Sequence, residues 1–238
     1  MSSASLLYGQ VGLKVALNRS NLSQDNYDYT SNSAVNFFQI GLTTKLKRDE
    51  PGFRAEFLYS KKGREFSSEN TIETSYGSQS YKTTYTDHIP YFDMPLLFTF
   101  PVHELFIIEA GPNFAARLGG KRISKSTFSY YYSSSNSTTV LDFPETEYKY
   151  SDKNAFPDNR EAQPEYEDKL NKNLIRRFDV GLNIGCQLFL TGKMTFVARY
   201  NFGLTDVVSN NYYNFYTSNL STERHRNLEL GLTFYMGN

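Results

Sequence analysis

Eight runs of alternating apolar and polar residues, joined by links that are short and long in turn, constrain this chain more than any other feature. The first run sets Val11, Leu13, Val15 and Leu17 against Gly12, Lys14, Ala16 and Asn18. In the second, Phe38, Ile40, Leu42 and Leu46 alternate with Gln39, Gly41, Thr43 and Lys45. In the third, Phe53, Ala55, Phe57 and Tyr59 face away from Arg54, Glu56 and Ser60. The fourth carries Phe92, Met94, Leu96, Phe98 and Phe100 against Asp93, Pro95 and Thr99. The fifth runs Phe106, Ile108, Ala110, Phe114, Ala116 and Leu118 against Glu109, Gly111, Asn113 and Arg117. The sixth alternates Phe178, Val180, Leu182, Ile184, Cys186 and Leu188 with Asp179, Gly181, Asn183, Gly185 and Gln187. The seventh has Met194, Phe196, Ala198, Tyr200, Phe202 and Leu204 opposite Thr195, Arg199, Asn201 and Gly203. The eighth has Leu228, Leu230, Leu232, Phe234 and Met236 opposite Asn227, Glu229, Gly231 and Thr233.

Side chains along a strand point to opposite faces, so each run is a strand with one apolar and one polar side. Each run reaches about ten residues, the length a tilted strand needs to cross a bilayer. The links at 47–51, 101–104 and 191–193 are tight turns, whereas those at 19–33, 61–87, 119–173 and 207–226 are long. This alternation predicts an all-β fold: an eight-stranded antiparallel up-and-down transmembrane barrel over residues 11–238. Short turns then face the periplasm and long loops, above all 119–173, face outward, with Tyr-rich runs such as Thr127 to Tyr132 and Tyr148 to Tyr150 expected to extend strands above the membrane. The expected location is the bacterial outer membrane. Residues 1–10 are read as a separate N-terminal segment, with Ala4 to Tyr8 as a signal remnant or an altered start.

Composition enters mainly by exclusion. Mean hydropathy is −0.53, and no stretch is long and apolar enough for a transmembrane helix. Twenty-five basic residues balance 25 acidic ones, which gives no electrostatic ground for nucleic acid. Cys186 is the single cysteine, so neither an intrachain disulfide nor a cysteine metal cluster can form. Tyr and Phe make up the 16% aromatic content, which suits interfacial girdles and loop surfaces alike.

Alternation alone also allows a soluble lipocalin-type barrel with its apolar face inward around a ligand. The polar face argues for the membrane form. It mixes Gly12, Gly41, Gly111, Gly181, Gly185, Gly203 and Gly231 with large charged residues. Small residues there make room for long ones inside a narrow lumen. The candidate site is therefore a structural charge network formed by Lys14, Arg54, Glu56, Asp93, Glu109, Arg117, Asp179, Arg199 and Glu229, with Lys45 on the same face. It is expected to plug the lumen rather than conduct, each charge being tolerable only when paired. Pro95 is expected to mark an irregularity or bulge in the fourth strand.

No catalytic set is expected. His88, His103 and His225 are the histidines, and His225 with Glu223 and Ser221 is the one arrangement a lipid-modifying enzyme would use. His225 reads better as a solvated loop residue. Glu165, Glu167 and Asp168 lack the spacing of a calcium loop, and no cofactor is expected.

Five segments also carry a resemblance: 12–22, Phe57 to Gly63, Tyr91 to Leu97, Glu109 to Pro112, and Arg199 to Asp206. In this order they resemble the PorT-type outer-membrane β-barrel family of Bacteroidetes. The resemblance implies an eight-stranded outer-membrane barrel and an association with type IX protein secretion. It supplies no catalytic residue. The function expected is a non-enzymatic barrel in contact with outer-membrane lipid and with a protein partner in the outer membrane or periplasm. The alternatives are a surface-binding barrel acting through its long loops and a lipid-modifying enzyme.

Overall fold

The computed structural model describes residues 11–24, 31–44, 50–133, 135, 137–149, 176–207 and 223–236. Eight antiparallel strands close into a ring: β1 (Val11–Gln24), β3 (Val35–Thr44), β4 (Gly52–Lys62), β6 (Gly77–His103), β7 (Phe106–Arg117), β11 (Phe178–Phe189), β12 (Met194–Gly203) and β13 (Glu223–Tyr235). The β1–β13 and β6–β7 pairings complete the circle. Closure matters because lipid offers no hydrogen bonds, so every spanning N–H and C=O must find a partner in the neighbouring strand.

The two faces of the ring lie as a membrane barrel requires. Phe53, Phe38 and Leu17 are 78%, 74% and 53% exposed on the outside, while Lys14, Glu56 and Leu58 on the inside are 0% exposed. A soluble ligand-binding barrel would show the reverse, which excludes the lipocalin-type alternative. Aromatic residues gather toward both edges of the outer band. Phe53 packs edge-on against Phe98 near the short turns, with ring centroids 5.4 Å apart.

The long links are less irregular than the sequence suggests. Residues 61–87 form a hairpin of β5 (Glu65–Thr74) and the upper part of β6, and β2 (Ser31–Ser33) adds to the far side of β5. Part of 119–173 forms β8 (Lys121–Tyr132), β9 (Ser137–Asp142) and β10 (Thr146–Lys149). β8 pairs with the upper half of β6, and β9 and β10 line its other edge. Sequence alternation fades there because neither face of a strand above the bilayer has to be apolar. β-Branched and aromatic residues still favour the extended chain. At 27 residues, β6 is more than twice the ~9–11 a span requires. Gly77 closes the β5–β6 turn at φ +152°, where an added Cβ would lie 1.8 Å from the Tyr131 carbonyl oxygen.

Two expectations about β6 need correction. No bulge occurs at Pro95, since Asp93 and Leu96 keep one register with Leu58 and Ala55, but the ladder to β4 is interrupted at Met94 and Pro95, which is the irregularity the proline implies. The register shift lies instead between Pro101 and His103. The expected 101–104 turn shrinks accordingly to Glu104 and Leu105, because β6 continues through His103. Close strand approach at this level depends on Gly111, where a Cβ would sit 2.0 Å from the Leu96 carbonyl oxygen.

Candidate functional site

The lumen is built in layers from the inward residues of the ring. Nearest the short turns lies an ionic plug of three cations, Lys14, Arg54 and Arg199, and three carboxylates, Glu56, Glu109 and Glu229. Lys14 Nζ donates to Glu56 at 2.8 Å and lies 2.5 Å from Glu229. Arg199 forks between Glu56, at 2.8 and 3.1 Å, and Glu109, at 2.9 and 2.6 Å. Arg54 Nη2 sits between the same two carboxylates, 2.6 Å from Glu56 and 2.8 Å from Glu109. Gln187 donates to the second oxygen of Glu109 at 2.5 Å. All six charged side chains are at least nine-tenths buried, and their formal charges cancel. Opposite charges at this range are what make buried charge sustainable, although Arg54 Nη2 faces Glu56 and Glu109 in ion pairs without hydrogen-bond geometry.

Above the plug, Lys62 Nζ lies 2.8 Å from Asp93 and 3.5 Å from Asp179. Asn113 also donates to Asp93 at 3.0 Å, as does Ser60, and Thr205 donates to Asp179 at 2.6 Å. An amide ladder runs beside this cluster, Asn227 donating to Asn201 and Asn201 to Asn183. Together with Asn18, Gln39 and Asn113, these residues line a chamber that leaves about 20 Å³ for the centres of water molecules. That is room for one or two waters, not for a channel.

Leu22, Ile89, Tyr91, Ala115 and Val207 close the chamber from above as an apolar layer. Over it lies a rim of ion pairs: Arg64 with Glu223 at 3.0 Å, and Arg122 bidentate on Asp87 at 2.7 and 3.1 Å. Phe66 is sandwiched between Arg64 and Arg122, 4.6 and 4.9 Å from its ring centroid.

The structure divides the expected network. Lys14, Arg54, Glu56, Glu109, Arg199 and Glu229 meet in the plug, and Asp93 and Asp179 meet around Lys62. Arg117 joins neither group. It is half-buried at the top of β7, opposite Tyr91, and makes no side-chain ion pair among the described residues. Lys45 lies outside the described residues. Lys62 and Arg64 escaped the sequence reading, although Lys62 continues the inward period of Arg54, Glu56 and Ser60 along β4.

His225 is not a solvated loop residue. It sits fully buried on β13, with Nε2 in hydrogen-bond contact with the Tyr91 hydroxyl at 3.2 Å. Glu223, two residues away on the same face, is engaged by Arg64 instead. His88 packs edge-on against Phe37 at 5.4 Å. Ser221, Glu165, Glu167 and Asp168 lie outside the described residues. Among the described residues no group of three His, Cys, Asp or Glu is placed to hold a metal.

The sheet above the rim presents Ile72, Tyr76, Tyr81, Tyr131, Tyr132, Val140, Leu141 and Phe143, all exposed. Lys121 donates to Glu147 at 2.7 Å and holds that carboxyl below the usual carboxylate range.

Among solved structures, the chain is similar to neisserial surface protein A, with 10% identity, 94% of this chain and 96% of the other covered, and a TM-score of 0.38. It is similar to Ail, the attachment invasion locus protein of Yersinia pestis, at 11% identity, 96% and 99% coverage and a TM-score of 0.37. It is also similar to the outer membrane protein OprG from Pseudomonas aeruginosa, at 7% identity, 97% coverage of each and a TM-score of 0.41. No curated protein matches the chain. A family model described as the outer membrane protein beta-barrel domain matches residues 2–209. The chain belongs to the outer membrane protein beta-barrel domain family, and its place is the bacterial outer membrane.

Proposed function

We propose that this protein is a non-enzymatic barrel that holds a binding sheet above the outer membrane and captures a protein partner there. The observation that carries this reading is the extension of β6, β5, β8, β9 and β10 beyond the bilayer, with Tyr76, Tyr81, Tyr131, Tyr132, Val140 and Leu141 exposed along it. Tyrosine offers large contact area at small entropic cost. The ion-paired plug supports the same reading, since among the described residues charged side chains fill the lumen at its level and leave the loops as the accessible surface. Replacing 137–149 by a Gly-Ser linker tests it: the barrel should fold and lose co-purification of its partner. Retained binding with β9 and β10 removed sinks this site.

A more specific reading makes the barrel an accessory of type IX protein secretion, acting on a partner in the outer membrane or periplasm. Its support is the ordered set of PorT-type segments, of which Tyr91 to Leu97 and Arg199 to Asp206 contribute lumen residues. Deleting the gene and assaying export of proteins with C-terminal sorting signals tests this reading. Unchanged export rejects it while leaving the sheet as a binding surface.

A further inference from the structure

We propose that the outer face of β1 and β13, just above the apolar band, is a binding site for the phosphate of an outer-leaflet glycolipid headgroup. The register places the site. Leu17 and Leu230 pair within the lipid-facing band. One step up, Arg19 pairs with Leu228, then Asn21 with Arg226, then Ser23 with Arg224. Arg19 continues the face of Val11, Val15 and Leu17, and Arg224 and Arg226 continue the face of Leu228 and Leu230. Arg19 therefore stands where the bilayer's apolar layer ends, with Arg226 and Arg224 one and two steps above it on the same outer face.

Charge is sorted by face. The carboxylate that precedes Arg224 in sequence, Glu223, points inward to Arg64, and Asp87 and Asp179 are also inward. Among the described residues no carboxylate lies within ion-pair distance of Arg19, Arg224 or Arg226, and the Arg224 Nε is buried without a hydrogen-bond partner. Like charges grouped this way are costly unless an anion joins them. Arg226 is also held in place, its guanidinium 5.5 Å from the ring centroid of Phe202 on β12. Asn36 of β3 pairs with Arg19 and adds an exposed amide donor beside it. Planar guanidiniums bind phosphate oxygens in bidentate fashion, which lysine cannot do. A ligand reaching this patch must have its acyl chains beside Leu17, Leu228 and Leu230 and its anion at the collar, which is the form of a phosphorylated glycolipid.

Native mass spectrometry of the intact protein in mild detergent tests the site with three probes: bisphosphorylated lipid A, its dephosphorylated form, and inorganic phosphate. The wild-type barrel should retain lipid A. The R19Q/R224Q/R226Q variant should bind it on the order of 100-fold more weakly, at about fivefold per basic residue. The charge-keeping R19K/R224K/R226K variant should fall between them. Dephosphorylated lipid should bind wild type and variant alike, and inorganic phosphate should not bind at millimolar concentration. If the glutamine variant does not fold, the wild-type preference for phosphorylated over dephosphorylated lipid still decides. Equal retention of the two lipids overturns the proposal, as does equal lipid A binding by wild type and variant. Phosphate binding without lipid overturns the assignment to a headgroup.

Discussion

Arg199 on β12 donates to Glu56 on β4 at 2.8 Å, across a ring in which these strands stand four positions apart. The bond therefore spans the barrel's diameter. Glu56 also takes Lys14 from β1, and Arg199 also takes Glu109 from β7, so the plug ties together walls that share no sheet hydrogen bonds. The lumen is thus a fastening between strands, not a passage.

Removing one member of this group should cost more than the interaction it makes, because its partner is left charged and buried. E56Q should lose about 3–5 kcal/mol of stability. Urea unfolding of the barrel in phospholipid vesicles measures it. Removing opposite charges together, in E56L/R199L, should cost clearly less than the two single changes summed. Strict additivity there would mean that the residues do not act as a unit.

The filled lumen also sets electrical behaviour. Reconstituted in a planar bilayer, the wild type should give no stable unitary conductance, since the chamber admits only one or two waters. R54S/E109S removes one charge of each sign and two long side chains from the plug, and should introduce small conductance steps. Large steady currents through the wild type would be incompatible with the plug.

Lipid-facing positions should respond to charge according to depth. Leu232 lies outside at the middle of the apolar band, between Val15 of β1 and Phe196 of β12. L232R should cost about 2–4 kcal/mol. S133K on the exposed β8–β9 turn should change stability by less than about 0.5 kcal/mol. The same urea titration reports both, and equal costs would contradict the placement of the membrane.

Orientation is open to direct labelling. A short epitope tag inserted after Ser135 should be recognised by antibody on intact cells. The same tag at Leu105, between β6 and β7, should be recognised only after the outer membrane is permeabilised. The opposite pattern would invert the barrel.

The parts of this structure that the bilayer dictates were legible in the sequence. Lipid demands an apolar face, so Val11 to Leu17 and Leu228 to Phe234 announce both their strands and their orientation. The plug followed for the same reason, because Lys14, Glu56 and Arg199 had nowhere to go but inward. Above the membrane that constraint ends. β9 is exposed on both faces and β8 is mostly half-buried, so alternation is lost there, and it was the Tyr-rich composition of Thr127 to Tyr132 that marked an extended strand, as β8 bears out. His225 misled for a related reason: β13 begins four residues before Asn227, where the outward residues are Arg224 and Arg226 rather than leucines. Lys62 was missed because the strand was ended at Ser60, two residues short. How inward charges would divide into a plug, a Lys62 cluster and an Arg117 that joins neither depends on strand stagger, which no single strand encodes.

The most direct test of the inward charges and outward apolar face is a spin-label scan of β1, one cysteine at a time, in a C186S background and in lipid vesicles. Labels at 11, 13, 15 and 17 should collide readily with oxygen dissolved in the bilayer and rarely with a polar nickel reagent. Labels at 16 and 18 should meet neither, because the lumen is filled. A scan with no such two-residue period, or with 11 to 17 shielded from oxygen and the even positions open to the nickel reagent, would contradict this structure.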